Sequence, residues 1–275
     1  RIMPGSKYYD SIVNNYRCYS GLNIPSKKAV RSFLKSIINY KKYPLKELDT
    51  ITECEAAKIL ENSYRAINIA LIDEWVKYAK TISVDLLNII KSIKIRGTHS
   101  NIMMPGLGVG GYCLPKDGLF AAKSAKMIFK RKQNFPFINL ASKINNKMPF
   151  TSLNLIESET KRLKGEKILI LGSAYRPDVD DTRNSPSLIL IKELKKKGAI
   201  VSTHDPMIIN KKIPKFAQYN LVIFCVKHKK YKNISIKDFS KKTIYFDLNN
   251  VLDEKIISFM KKKKYKLNIL GRYSE

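Results

Sequence analysis

Long hydrophobic runs are missing. The longest, such as Leu221-Val-Ile-Phe-Cys-Val226, have the length of a strand, which excludes a membrane-spanning helix. The opening residues are not a charged segment followed by an apolar one, so no secretory leader is expected and the cytoplasm is the expected compartment. Cysteine is sparse: Cys18, Cys54, Cys113 and Cys225 form no C-x-x-C pair and no zinc spacing, so neither a disulfide framework nor a structural metal is expected. Histidine is scarcer still. His99, His204 and His228 lie far apart without metal spacing; His204, in the triplet His-Asp-Pro, reads as structural, and His99 precedes a glycine-rich loop from which it could approach a ligand.

Acidic residues are also few, 23 against 52 lysines and arginines, for a net charge of +29. Such a balance invites a nucleic-acid reading through counterion release. The distribution opposes it: lysines fall in scattered pairs and short runs (Lys27-Lys28, Lys195 to Lys197, Lys211-Lys212, Lys261 to Lys264) without arginine-aromatic interleaving. Non-specific binding of anions at low salt is expected, a specific nucleic-acid partner is not.

What is present fits a globular α/β protein of 275 residues, 44% of them hydrophobic, enough for roughly two domains and a real core. Residues 1–50, broken by Pro25 and Pro44, suit the last helix and strand of a truncated α/β domain. From Thr52 to Lys80 there is neither proline nor glycine, predicting a helix of about 40 Å. Its stretch Ala66 to Val76 is apolar nearly all round, the mark of a buried helix. Further helices are predicted over Val84 to Lys94, Lys116 to Lys130 and Phe137 to Glu159. The last hundred residues change period. Lys167 to Leu171, Ile200 to His204, Leu221 to Val226, Thr243 to Asp247 and Lys266 to Leu270 read as strands, alternating with helices at Ser187 to Lys197 and Asp253 to Lys263. That alternation implies a parallel sheet, with a ligand outside the carboxyl ends of its strands, at Gly172 to Ser185.

The most chemical segment is Gly108-Val-Gly110-Gly111-Tyr112-Cys113-Leu-Pro115-Lys116-Asp117. Glycines admit a ligand to the backbone, Pro115 stiffens the exit and a neighbouring lysine favours the nucleophilic thiolate. Gly106 to Gly111 also satisfies G-x-G-x-x-G but is rejected as a dinucleotide fingerprint, because prolines at 105 and 115 leave no strand before it and no helix opening from it. Its glycines are instead expected to wrap a sugar and the thiol. Lys58, Asn62 and Arg65, spaced i, i+4 and i+7, line one side of the long helix; on a buried helix such a polar line is costly unless it faces a cavity or ligand. Asp117 suits a helix cap. Arg176 and Arg183 share one loop with Tyr175, Asp178, Asp180 and Asp181 ahead of Ser185-Pro186, a helix start; an arginine fork suits a phosphate or a base edge, and an Asp181–Arg183 salt bridge is the plainer alternative.

Three of these segments, in order, resemble the UDP-glucose/GDP-mannose dehydrogenase family, the nucleotide-sugar 6-dehydrogenases: Glu55-Ala-Ala-Lys58 through Asn62 and Arg65 to Ala70, the Cys113 segment, and Leu171-Gly-Ser-Ala-Tyr-Arg176 through Pro186. Arg65 and Asn68 are similar to the UDP-N-acetylhexosamine branch, whereas Tyr112 and Leu114 to Lys116 pull toward the UDP-glucose and GDP-mannose branches. The opening Arg1-Ile-Met-Pro-Gly5 resembles the interior of a family motif, so the chain is expected to be N-terminally truncated. The resemblance then implies a remnant of the NAD-binding Rossmann domain (1–50), an all-helical central domain for catalysis and dimerisation (51–160), and a Rossmann-like parallel-sheet domain for the UDP-sugar (161–275).

It further implies a four-electron, NAD-dependent oxidation of a sugar C6 alcohol to the carboxylate. Cys113 would form the thiohemiacetal and thioester, Lys58 and Asn62 would hold a water and stabilise oxyanion character, and Asp117 would assist proton transfer. Arg65, Gly110, Gly111, Tyr112, Lys116, Tyr175, Arg176 and Arg183 would bind the nucleotide sugar. NAD would bind through a fingerprint outside this chain, the chain alone would be inactive, and a homodimer would form through the central helix. Asn249 departs from the pattern, standing where UDP-glucose enzymes usually place an arginine. Two other classes stay open: a non-catalytic nucleotide-sugar-binding fragment and a basic polyanion-binding protein.

Overall fold

A computed structural model describes residues 2, 3, 5, 7–209 and 212–273. Arg1 and Pro4 of the opening segment and Lys211 of one lysine pair lie outside the described residues. In chain order the helices are α1 (Tyr8–Val13), α2 (Ile24–Ile37), α3 (Ile51–Thr81), α4 (Leu86–Ile93), α5 (Asp117–Met127), α6 (Pro136–Glu159), α7 (Pro186–Lys196) and α8 (Glu254–Lys262). The strands are β1 (Arg17–Tyr19), β2 (Leu45–Glu47), β3 (Lys167–Leu171), β4 (Ile200–His204), β5 (Leu221–Phe224), β6 (Ile244–Asp247) and β7 (Leu267–Ile269). Two compact units result, residues 1–64 with 117–134 and residues 65–116 with 135–275.

In the first unit β1 and β2 pair in parallel, Cys18 opposite Lys46, with α2 crossing between them. Residues 1–50 therefore hold two helices and two short strands where one of each was expected. Pro25, read as a break, lies in the first turn of α2, where a missing N–H removes no helical bond. Asn23 caps that helix by accepting from Ser26 N at 2.9 Å while Ser26 Oγ accepts from Asn23 N at 3.0 Å. Glu53 reaches back at the start of α3 to accept from Asp49 N and Thr50 N at 2.8 and 3.1 Å.

The second unit is built on a five-stranded parallel sheet of order β4-β3-β5-β6-β7. Ile168, Leu169, Ile170 and Leu171 are buried on both faces, as a sheet covered on two sides requires. Ile168 and Ile170 pack with Leu190 and Leu194 of α7, and Leu169 and Leu171 with Phe216, Phe224 and Met260. The register aligns Leu171, His204, Phe224, Asp247 and Ile269 in one row along the carboxyl edge.

The carboxyl-terminal half of α3 buries Ile72, Val76 and Ala79 in the same core cluster as Leu86, Ile90 and Ile156. Its opposite side is open: Leu71, Trp75 and Tyr78 are 48%, 44% and 52% exposed. The all-round burial predicted for Ala66 to Val76 is thus corrected to one-sided burial within the chain, since apolar composition does not say which surface covers a face. Leu71 and Trp75 line, with Ile89, Ile93, Arg96 and His99, an apolar cleft of about 570 Å³. No helix of the described residues is long and apolar enough to cross a membrane.

Asp73 lies on the same helix, 1% exposed, and its Oδ2 has no hydrogen-bond partner among the described residues. Burial pushes its carboxyl up to about 6. The native state therefore binds a proton that the unfolded chain has already released between pH 4 and 6, and this contribution to stability is lost as pH rises through 6. The Asp73→Asn protein is expected to gain about 3 kcal/mol on the natural protein between pH 4 and 7, measured as the difference in urea unfolding free energies; a pH-independent difference would refute this assignment.

Candidate functional site

Strand order reverses between β3 and β5, and the loops leaving their carboxyl ends are where a parallel sheet receives a ligand. The chain leaves β3 at Gly172, whose φ of +98° and contact with Val226 leave no room for a Cβ. Ser173 N and Ala174 N then donate to Asp205 Oδ2 at 2.7 and 2.9 Å. Tyr175 N donates to Asp181 O at 2.9 Å, closing the loop on itself before α7 begins at Pro186. Tyr175 and Arg176 are half-buried on it. Arg183 grips Asp181 through Nε, 3.0 Å from both carboxylate oxygens, and through a terminal nitrogen at 2.6 Å, holding the acid below its usual range. The salt bridge left open for this pair is present.

Residues 101–116 form neither strand nor helix, in keeping with rejection of Gly106 to Gly111 as a dinucleotide fingerprint. Two hydrogen bonds fasten the thiol-bearing loop to the loop after β3: Gly111 N to Arg183 O at 2.9 Å and Asn184 Nδ2 to Gly111 O at 3.0 Å. A Cβ on Gly110 would meet Tyr175 Cβ, Asn184 O and Pro186 Cδ at 2.7–2.9 Å, and one on Gly111, at φ +83°, the Tyr175 ring at 2.7 Å. The space these glycines leave is therefore filled by protein, which revises the expectation that it is kept for a sugar. Tyr112 carries Lys116 Nζ 4.2 Å above its ring and the Arg183 guanidinium at 5.6 Å. Cys113 follows, exposed. Cys225, by contrast, is buried and pushed up to about 12 by desolvation, which keeps it a thiol.

Asn249 has a structural use. Its Nδ2 donates to Cys225 O at 2.9 Å, tying the exit of β6 to that of β5, and its Oδ1 occupies the place a Cβ on Gly106 would take, 2.6 Å away. Upstream, Asn68 accepts from Met103 N at 3.1 Å and so orients the approach to the same glycine loop.

In the first unit, Asn62 on α3 donates through Nδ2 to Asp117 Oδ2 on α5 at 2.7 Å, with Asn62 3% and Asp117 8% exposed. Lys58, one turn earlier, is exposed, so the polar line on α3 is buried at Asn62 and open at Lys58; Arg65, in the second unit, is half-buried. The structure thus brings Asn62 and Asp117 together in one unit, and Gly110, Gly111, Tyr112, Lys116, Tyr175 and Arg183 around Cys113's loop in the other. Asp205 and Asn184 were not singled out from sequence, and Asn68 was noted only for its resemblance to the N-acetylhexosamine branch. The only signal was the His-Asp-Pro triplet, which marks a strand end but not the partner of its carboxylate.

A parallel sheet with two loops fastened together at its carboxyl edge is a Rossmann-like binding unit, and comparison with known proteins gives its family. The chain belongs to the UDP-glucose/GDP-mannose dehydrogenase family: the family's central domain matches residues 52–147 and its UDP binding domain residues 169–254. UDP-N-acetyl-D-mannosamine dehydrogenase of Methanococcus vannielii is 32% identical over 98% of this chain and 63% of its own length. The structure of the UDP-D-ManNAc dehydrogenase of Pyrococcus horikoshii superposes with a TM-score of 0.80 at 25% identity, covering 100% of this chain and 64% of that one. For UDP-N-acetyl-mannosamine dehydrogenase of Staphylococcus aureus the values are 0.78 and 27%, over 99% and 63%. The chain therefore spans a little over three fifths of the length of the relatives it matches.

Gly110→Ala is expected to cost about 1–3 kcal/mol through overpacking against Tyr175 and Pro186. At Gly97 a Cβ meets nothing within 4 Å, and Gly97→Ala is expected to stay within about 0.5 kcal/mol. Equal thermal midpoints for the two variants would show that the glycine loop does not pack as described.

Proposed function

We propose that this chain supplies the substrate-binding and thiol-bearing part of an NAD-dependent dehydrogenase that oxidises a nucleotide sugar, a UDP-N-acetylhexosamine or UDP-glucose, at C6 to the uronic acid. The observation that carries the proposal is the pair of hydrogen bonds joining Gly111, two residues before Cys113, to Arg183 and Asn184 of the loop within the UDP-binding match. The relatives named as UDP-N-acetylmannosamine dehydrogenases support the N-acetylhexosamine branch.

In this reading Arg176, Tyr175 and Arg183 hold the nucleotide with its diphosphate, and Tyr112, Lys116 and Arg65 hold the sugar, while Gly110 and Gly111 contribute by letting the thiol loop pack on Tyr175. Cys113 sulfur adds to the C6 aldehyde carbonyl, forming a C–S bond while a proton goes to the oxygen. After the second oxidation, water cleaves the resulting thioester and returns the thiol. Lys58 and Asn62 orient that water and stabilise the oxyanion, a role typically worth about 3 kcal/mol per donor, and Asp117, tied to Asn62, takes up and returns the proton. NAD supplies the hydride acceptor by family resemblance. The Gly106 to Gly111 run is packed against protein and does not fit a dinucleotide, so no residue of this chain is assigned to hold it. The functional division of the chain is 1–50, 51–160 and 161–275. The active form is a homodimer through α3, with the open face of Leu71, Trp75 and Tyr78 at its interface.

Thermal unfolding with UDP-N-acetylmannosamine, UDP-N-acetylglucosamine, UDP-glucose and GDP-mannose tests the substrate half. At 100 times its dissociation constant a bound ligand contributes about 2.7 kcal/mol, a rise of roughly 5–10 °C at this size. A selective rise with one UDP-sugar is expected; stabilisation by any polyanion alike would instead identify a basic surface-binding protein. For the dimer, sedimentation should give twice the 31.6 kDa chain mass, reduced to a single chain in Trp75→Glu; a monomeric natural protein would rule the interface out.

A further inference from the structure

His228 and Asp205 form a buried pair that the reaction above does not use. Asp205 leaves the end of β4 and His228 follows β5; they are 1% and 0% exposed. His228 Nε2 lies 3.1 Å from Asp205 Oδ2, while His228 Nδ1 accepts from Asp178 N at 3.0 Å. A ring nitrogen that accepts from an N–H carries no proton, so these bonds assign the tautomer with hydrogen on Nε2, donating to the carboxylate. Burial opposes ionisation of Asp205, but hydrogen bonds from His228 and from the backbone N–H groups of Ala174, Met207 and Ser173 together outweigh it and hold the carboxyl well below its usual range. Tyr231 packs edge-on against the His228 ring at 5.5 Å and donates to His204 O at 2.7 Å, which fixes the ring from behind.

The pair closes on both ends of one short segment. Asp205 takes the N–H groups of Ser173 and Ala174, and His228 takes the N–H of Asp178, whose own Oδ1 accepts from Lys229 N at 3.0 Å. Between these anchors stand only Tyr175, Arg176 and Pro177. Asp178 has φ +57°, a left-handed turn that a non-glycine residue keeps only when its surroundings impose it. Arg176 is half-buried, and the backbone between the two anchors fixes the point from which its side chain starts.

We infer that Asp205 and His228 are positioning residues that clamp the Tyr175-Arg176-Pro177 arch from both ends and so pre-set Arg176 for the diphosphate of a uridine nucleotide. This rests on the nucleotide-loop reading given under Proposed function. A rigid arch avoids ordering an arginine and three backbone residues at the moment of binding, which is where pre-organisation adds affinity.

The test is a double-mutant cycle on this chain with UDP as the titrated ligand, each protein first shown to be folded at the assay temperature. His228→Gln keeps a donor toward Asp205 and gives up the acceptor toward Asp178; His228→Asn does the reverse, and is the second probe if one of them fails to fold. Either change should weaken UDP binding about ten-fold when Arg176 is present and leave it nearly unchanged in the Arg176→Ala background, the coupling expected of groups acting through one network. Equal weakening in both backgrounds, or none in either, would overturn the clamp while leaving the loop reading intact. UDP affinity indifferent to Arg176→Ala alone would remove the loop reading, and the clamp with it.

Discussion

The bonds joining the Gly111 backbone to Arg183 O and to the Asn184 side-chain amide are the constraint on which the rest of the thiol-bearing unit depends. The loop around Cys113 has no secondary structure of its own, so it takes its conformation from whatever it is fastened to. That support is the loop leaving β3, which is in turn pinned by Asp205 from β4 and His228 from beyond β5. The bonds that Asp205 accepts from Ser173 N, Ala174 N and His228 are buried, where an unmade bond costs about 1–3 kcal/mol. An exposed thiol is thereby held by a chain of contacts ending in the interior of a parallel sheet.

The glycines and Asn249 follow from the same constraint. For the two loops to approach within backbone hydrogen-bonding distance, the residues between them must lack side chains, and Gly110 and Gly111 lie against Tyr175 where any Cβ would collide. Gly106 meets the same condition against Asn249. Asn249 also donates to Cys225 O through its short amide, so its departure from the family pattern has a local structural counterpart.

Much of this was legible in the sequence. β3 and β4 fall on the predicted bounds, β3 as a fully buried apolar run ended by glycine and β4 as an edge strand ended by His204-Asp205-Pro, and α3 follows from a long stretch without a breaker. Cys113 and Arg176 stood out because their neighbours carry unusual chemistry. Less could be read where function depends on partners distant in the chain. Nothing in Gly110 tells a contact with Tyr175 from one with a sugar. His228 and Asp205 are twenty-three residues apart and each looks ordinary alone. Pro25 is a break in sequence and a helix start in space because Asn23 and Ser26 cap around it. The apolar girth of Ala66 to Val76 registers burial without saying that Leu71, Trp75 and Tyr78 would stay uncovered in a single chain.

The central claim is that the thiol loop and the nucleotide loop form one site. The most direct measurement is the rate of Cys113 alkylation by iodoacetamide, followed by mass spectrometry of the peptides, with and without saturating UDP-N-acetylmannosamine. Exposed Cys18, in the other unit, serves as the internal reference. The account predicts that the sugar nucleotide slows Cys113 several-fold and leaves Cys18 unchanged. Equal alkylation of Cys113 in the presence of a ligand shown by thermal shift to be bound would contradict it.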